Sequence, residues 1–463
     1  MFGDEGMWVL PPSMMLATAI AICEMWRPPP KGEIDILRAV NALYALVFVI
    51  CPIILVFTPV IDVGLWNFIY ELGLSGIDVA LAEWIALASY VCMLVGYFAS
   101  NSFEGFRKAT ESIRQRVARE DATPSKRWDH VALLMGTVGT ISLLVYTKEI
   151  GGLWSLVAYG MLWRFEGAPI DTPWLFLKNL ALFLVPSSLI YFVIAQARTT
   201  LINKLCFVMT LGMSALILFH HGGRLQFLTY LLTIPVALML AHRGLRLRHV
   251  ITALIVGLPV VGFGKELLSL AYNPDAVTTS VASASAEPGA LLFRMALEFS
   301  FPVLTLAKVL SSVPSIEPFR WFIDVYYGFV TLLPQRLFGG ELPRTVTIVV
   351  LEMEHAPMPA DLLSFGYFSL GVSGCFIVAT LFGVASRFIE DSLGRPLSLA
   401  HAVLYAAWMF FWTFRLMYGD PSHAAIGGFH LIVATGLLMV PGWRLQHSNR
   451  TVVPQSPPIR KSK

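Results

Sequence analysis

The chain has 463 residues, of which 56% are hydrophobic and only 14% charged, with a mean hydropathy of +0.69. Soluble domains carry roughly 25% charged residues, so this chain has too little polar surface to cover a water-soluble globule, and its solvent must be partly lipid. The formal net charge of +3 decides nothing as a total, but its distribution along the chain does.

Apolar runs of membrane-spanning length occur at 8–26, 39–60, 77–99, 131–147, 174–195, 205–220, 224–241, 250–270, 365–386, 398–418 and 423–441. Hydrocarbon leaves no backbone donor or acceptor unpaired, so each run is predicted to be a helix. The first is the weakest, because Pro11, Pro12 and Glu24 interrupt it. No basic stretch precedes it, which argues against a cleaved signal peptide. The expected fold is therefore an all-α polytopic membrane protein of about ten or eleven transmembrane helices. It divides into transmembrane helices over 1–270, a large external loop over 271–364, further transmembrane helices over 365–441 and a disordered tail over 442–463. Cys23, Cys51, Cys92, Cys206 and Cys375 all lie in apolar runs without metal-ligand spacing and read as packing residues.

The connections 27–38, 100–130, 196–204, 242–249, 387–397 and the tail hold two-thirds of the Lys and Arg but one-third of the Asp and Glu. Such a bias places this set in the cytoplasm, with the N-terminus outside and the C-terminus inside. Arg107, Lys108, Arg114, Arg116, Arg119, Lys126 and Arg127 read as topological anchors on anionic headgroups rather than as a nucleic-acid surface. The 271–364 segment is unlike a plain connection. A polar stretch gives way to an amphipathic one at 290–313, then to an aromatic one at 319–333. Helices lying on the membrane or capping the bundle are expected there, with Phe319, Trp321, Phe322, Tyr326 and Tyr327 at headgroup level.

Ionisable residues beside apolar runs suggest function. The sequence HHGGR at 220–224 is either a tight turn with Arg224 reaching the surface or a substrate site, with His220, His221 and Arg224 facing an external cavity or the interface. Arg294, Arg320, Arg336 and Arg344 are either solvated or phosphate-binding, since the planar guanidinium fork suits two phosphate oxygens. Glu354 and His355 are candidate general bases; the competing reading is a solvated loop before a helix capped by Asp361. Glu83 and Lys178 interrupt spanning runs and are expected to pair with a neighbouring helix or snorkel. Arg415 and Asp420 could line the same external cavity. Nucleotide-binding, metalloprotease and haem motifs are absent from the sequence, which argues against an ATP-driven pump or a redox carrier. No aspartate cluster suggests a divalent cation, so a metal-independent reaction with no cofactor is expected.

The segment PMPADLLSFGYFSLGVSGCFIVATLFGV at 357–384 and the GGRLQFLTYLL segment at 222–232 resemble elements of O-antigen and exopolysaccharide repeat-unit polymerases (Wzy-type), which are related to the O-antigen ligases. The many spans and one long late loop are similar too. The resemblance implies a bacterial inner-membrane glycosyltransferase with a GT-C-like fold and a large helical periplasmic loop. It would use an undecaprenyl-diphosphate-linked oligosaccharide as donor, with a chain-length regulator as a possible protein partner. Arg224 matches the family's Gly-Arg element; the loop arginines are candidates by location. A ligase-type glycosyltransferase and a non-enzymatic flippase of lipid-linked oligosaccharide are the competing readings.

Overall fold

The computed structural model describes residues 3–27, 34–57, 72–119, 126–156, 174–221, 224–241, 246, 248, 249, 251, 252, 290–334, 343–354, 358–394 and 398–439. It is all-helical, with no strand among the described residues. Among the described residues, ten helical stretches are long and apolar enough to cross a membrane, and Leu225–Leu240 is a shorter apolar helix. The protein is thus a multi-pass membrane protein. The weak first run is among the ten, as Glu5–Trp26, while the predicted 250–270 helix lies outside the described residues apart from 251 and 252.

In chain order the helices are α1 (Leu10–Trp26), α2 (Ile36–Ala45) running through a π-helical turn into α3 (Cys51–Phe57), α4 (Gly76–Ala99), α5 (Glu104–Arg119), α6 (Lys126–Glu149), α7 (Leu175–Ala181) and α8 (Leu184–Ala197). They continue as α9 (Leu201–His220), α10 (Arg224–Leu240), α11 (Ala290–Ser312), α12 (Ile323–Val330), α13 (Val346–Glu354), α14 (Leu362–Leu393), α15 (Leu399–Thr413) and α16 (Pro421–Met439). Local chemistry sets several starts. Ser75 and Asp78 form a reciprocal capping box on α4, while Asp35, Thr200 and Ser398 cap α2, α9 and α15; each such cap contributes about 1 kcal/mol.

Helix α4 shows how lipid shapes the sidedness. Val79, Glu83, Ala86, Tyr90, Met93 and Tyr97 recur at helical spacing and are buried, whereas Leu81, Trp84, Val91, Val95 and Phe98 are exposed. Exposed apolar side chains are what a lipid solvent accepts. Small residues then bring backbones together. A Cβ on Gly96 would overlap the Thr380 carbonyl, and one on Gly383 would overlap that of Met93, so α4 and α14 cross in close contact.

The expectation for 290–313 differs from what is observed. Helix α11 does not lie on a surface: Phe293, Ala296, Leu297, Val303, Leu304, Leu306 and Ala307 are all buried in the cluster that includes α1 to α4, and Met295–Ser312 is among the ten candidate spans. Its C-terminal end meets the segment before α4, where the Lys308 ammonium donates to the Leu72 carbonyl at 3.0 Å. The sequence contains Arg294, Glu298 and Lys308 here, and these made a buried helix look amphipathic. The described residues of 313–361 then follow at the bundle end shared by the starts of α4 and α16, hereafter the loop end.

Helix α14 is broken. Leu370 (φ −147°, ψ 28°) and Gly371 (φ 64°, ψ −148°) are non-helical, and the Cys375 thiol reaches back to the Leu363 carbonyl at 3.3 Å. The piece 362–369 is thus folded against the start of the long piece. The break frees the carbonyls of Phe368 and Ser369, which accept from the backbone N–H groups of Arg320 and Trp321 at 2.8 and 3.1 Å. The loop segment is tied to the bundle at this point.

Candidate functional site

Two aspartates organise the loop end. Asp324, at 0% exposure, accepts from the Val346 N–H at 2.8 Å. Asp420, also at 0% exposure, accepts from the Thr347 N–H at 3.2 Å and the Ser422 N–H at 2.8 Å. Both therefore satisfy orphan donors at the start of α13, and Asp420 does the same for α16. Gly328 of α12 lies against Pro421, where a Cβ would come within 2.9 Å of the carbonyl oxygen. These contacts fix α12 and α13 onto the first turn of α16.

The loop arginines meet here, already engaged. Arg320 makes a two-point bond with Asp324 at 2.7 and 2.9 Å, and donates to the Arg344 carbonyl at 2.5 Å. Arg344 pairs with Glu317 at 2.8 Å and Glu352 at 2.6 Å, and bonding to both carboxylates raises its already high pKa. Arg320 and Arg344 thus come together, with carboxylates, not open positions, in their forks. Arg294 lies near the start of α11, Arg224 opens α10 and Glu354 closes α13; their side chains are outside the described parts, as are Arg336 and His355 altogether.

A second group of nitrogens sits deeper at the same end. Arg415, in the 3₁₀ turn Phe414–Leu416 after α15, is 7% exposed. Its Nε donates to the Phe411 carbonyl at 3.2 Å and its guanidinium lies 4.8 Å from the Phe411 ring centroid. Its Nη1 has no hydrogen-bond partner among the described residues. That nitrogen points toward Gly427, where the position of a Cβ would be 4.0 Å from it and 3.8 Å from Gln226 Nε2. One turn along α16 is His430, 9% exposed and with an Nδ1 that has no partner among the described residues. Lys178, which is buried, His220 and His430 each lie within electrostatic reach of His221.

His221 therefore falls in this group. Its Nε2 approaches the Lys178 carbonyl at 3.4 Å. Burial, reinforced by Lys178 and His220, pushes its pKa well down, so it is a neutral hydrogen-bonding group. His220 is fully engaged: Nδ1 meets the Leu156 carbonyl at 2.6 Å and Nε2 the Tyr146 hydroxyl at 2.9 Å. With Nδ1 as donor, Nε2 accepts from Tyr146, and the residue braces α6 against α9. Of the two histidines in HHGGR, His220 is thus engaged within the bundle, and His221 lies against Lys178.

Leaving a buried donor unsatisfied costs about 1–3 kcal/mol, more for a charged group. Among the described residues Arg415 Nη1 bears such a cost, and the carboxylate within electrostatic reach of Arg415, Asp420, is spent on capping. The arrangement can accept an anion with several oxygens. Sequence reasoning placed Arg415 near the external cavity but missed His430 and Gln226, which lie inside apolar runs and acquire meaning only when α10, α15 and α16 are packed. Lys178 was expected to pair or snorkel; it is buried at 4% exposure. Glu83, for which the same was expected, does neither: it is 0% exposed and neither oxygen has a partner among the described residues. Asp361 is the N-cap of α14, accepting from the N–H groups of Leu363 and Ser364 at 2.9 and 3.2 Å.

Compared with known proteins, the chain matches no family model, no curated protein and no solved structure.

Proposed function

We propose that this chain is a polysaccharide polymerase that joins undecaprenyl-diphosphate-linked oligosaccharide repeat units, with the loop end on the periplasmic face of a bacterial inner membrane. The observation that carries the reading is the buried Arg415, whose free Nη1 converges with Gln226 on the gap at Gly427. An arginine held in a lipid-embedded bundle without a dedicated carboxylate among the described residues suits a ligand that brings the anion. A diphosphate on a hydrocarbon tail approaches such a site from the lipid and supplies both the charge and the acceptor oxygens.

The chemistry follows from the donor. A sugar diphosphate already carries its leaving group, so neither nucleotide nor ATP is required. The chain's residues need to hold the diphosphate, stabilise the charge that grows on it as the glycosidic bond breaks, and hold an acceptor hydroxyl at the anomeric carbon. In this reading Arg415 and Lys178 supply the positive field, with Gln226, His221 and His430 as neutral hydrogen-bonding groups. Arg320 and Arg344, saturated by Asp324, Glu317 and Glu352, brace the loop; Arg224, in the family-like element at the start of α10, stands beside Gln226 in sequence.

A flippase reading draws on one observation, the break in α14, since broken helices line many transporter sites. The break adjoins Phe319 and Arg320 of the loop segment, which favours a helix adapted to receive a cap. Gene deletion with complementation tests the function. Without the protein, surface polysaccharide should run as single repeat units on a gel, and Arg415→Gln should fail to restore the ladder. Long chains that accumulate unattached would instead point to a ligase, and an unchanged ladder with Arg415→Gln would overturn the site.

A further inference from the structure

The proposed transfer needs a group that takes the proton from the acceptor hydroxyl, and the loop end contains one that the sequence did not single out. His423 stands in the first turn of α16, 48% exposed at its side chain, with Nδ1 3.6 Å from the Asp420 carboxylate. Asp420 is itself immobilised: it is buried at 0% exposure and held by the N–H groups of Thr347 and Ser422. A carboxylate fixed in this way orients an imidazole through Nδ1 and leaves Nε2 as the acceptor facing outward. The 3.6 Å separation closes to a hydrogen bond with a small ring rotation, and such bonds are often long before substrate is bound.

Asp420 also lies within electrostatic reach of Arg415, so the His423–Asp420 pair and the anion site adjoin the same turn, 414–420. On α12, which packs against the start of α16, the charged or titratable groups are Asp324, held by Arg320, together with Tyr326 and Tyr327; on the turn they are Arg415 and Tyr418. Among these, only His423 combines an exposed side chain with an oriented acceptor nitrogen.

We infer that His423, oriented by Asp420, is the general base of the glycosyl transfer, a step that rests on the function proposed above. Its Nε2 takes the acceptor hydroxyl proton as that oxygen forms a bond to the anomeric carbon. The bond from the anomeric carbon to the phosphate oxygen breaks, its electron pair stays on the diphosphate, and the polyprenyl diphosphate leaves. Asp420 acts as a positioning residue and stabilises the imidazolium that forms.

The test uses the full-length protein in lipid nanodiscs and, as substrate, the lipid-linked glycan extracted from membranes of cells lacking the gene. Because His423 is half-exposed, His423→Gln should fold and insert as the unaltered chain does. It is expected to lower kcat by about 10²–10⁴-fold with little change in KM, and to abolish the acidic limb of the pH–rate profile. Added imidazole should partly restore turnover in His423→Gly. Turnover by His423→Gln within about twofold of the unaltered chain, or a slower rate with the acidic limb intact, overturns the general base alone. Failure of the unaltered protein to make polymer overturns both this inference and the function beneath it.

Discussion

Asp420 shows how one carboxylate serves both structure and site. Burial alone would push its pKa up, but the nearby His423 imidazole and the hydrogen bonds from Thr347 and Ser422 outweigh that and hold it below the usual carboxylate range. A depressed folded-state value contributes stability that is fully present above the ordinary carboxylate pKa and is lost as pH falls toward the folded value. Asp420→Ala, which orphans donors on α13 and α16, should destabilise the protein at pH 7 by about 2–3 kcal/mol. The gap between the two proteins in detergent melting curves should narrow on acidification below pH 4. Gly427 offers a more local probe. Its missing side chain leaves ordinary contact distance to Gln226 and Arg415, so Gly427→Ala should fold normally. Gly427→Leu should block the anion gap and abolish polymer, read on the same gel, while inserting into the membrane. At this scale the sequence disclosed little. Arg415 and His221 could be picked out because charge near an apolar run is conspicuous, whereas Gln226, His430 and His423 gain a role only from packing between helices distant in the chain.

Helices were far more legible, because a lipid solvent enforces long apolar runs and internal backbone pairing. Most predicted spans match observed helices within a few residues. The two differences have physical causes. Helix α11 carries charged residues at positions that resemble a surface stripe, yet Lys308 has a backbone acceptor in Leu72 and most of the helix's described apolar side chains are buried. The break in α14 left no proline to mark it. It rests on Gly371, whose backbone (φ 64°) falls in a region that other residues occupy only under strain. Gly371→Val should therefore cost about 1–3 kcal/mol and loosen the join between the 319–321 segment and α14. Faster hydrogen exchange at the amides of Arg320 and Trp321 would reveal that; unchanged protection at both would show that the break does not depend on glycine.

Across the whole molecule, the arrangement is a helical membrane bundle whose two ends differ in kind. At the end opposite the loop, Arg27 pairs with Glu24 and Asp35, and Arg198 with Asp129, close to the basic connections that the charge bias assigns to the cytoplasm. At the loop end, carboxylates engage Arg320 and Arg344, while Arg415 faces the gap at Gly427. The asymmetry was readable as a charge count, but the burial of Arg415 beside Gly427 was not. In a cysteine-free background, cysteines at Ile316 and Tyr326 should react with an impermeant thiol reagent from the periplasm, and one at Lys108 only after the inner membrane is opened. The reverse pattern would turn the site to the cytosol and remove the proposed reaction.

The most direct measurement is binding of undecaprenyl diphosphate to the purified protein in nanodiscs, followed by native mass spectrometry. The account predicts a bound diphosphate lipid that Arg415→Gln weakens by more than tenfold, with undecaprenol, which lacks the anion, failing to compete. Equal binding by the two proteins, or equal competition by undecaprenol, would contradict it.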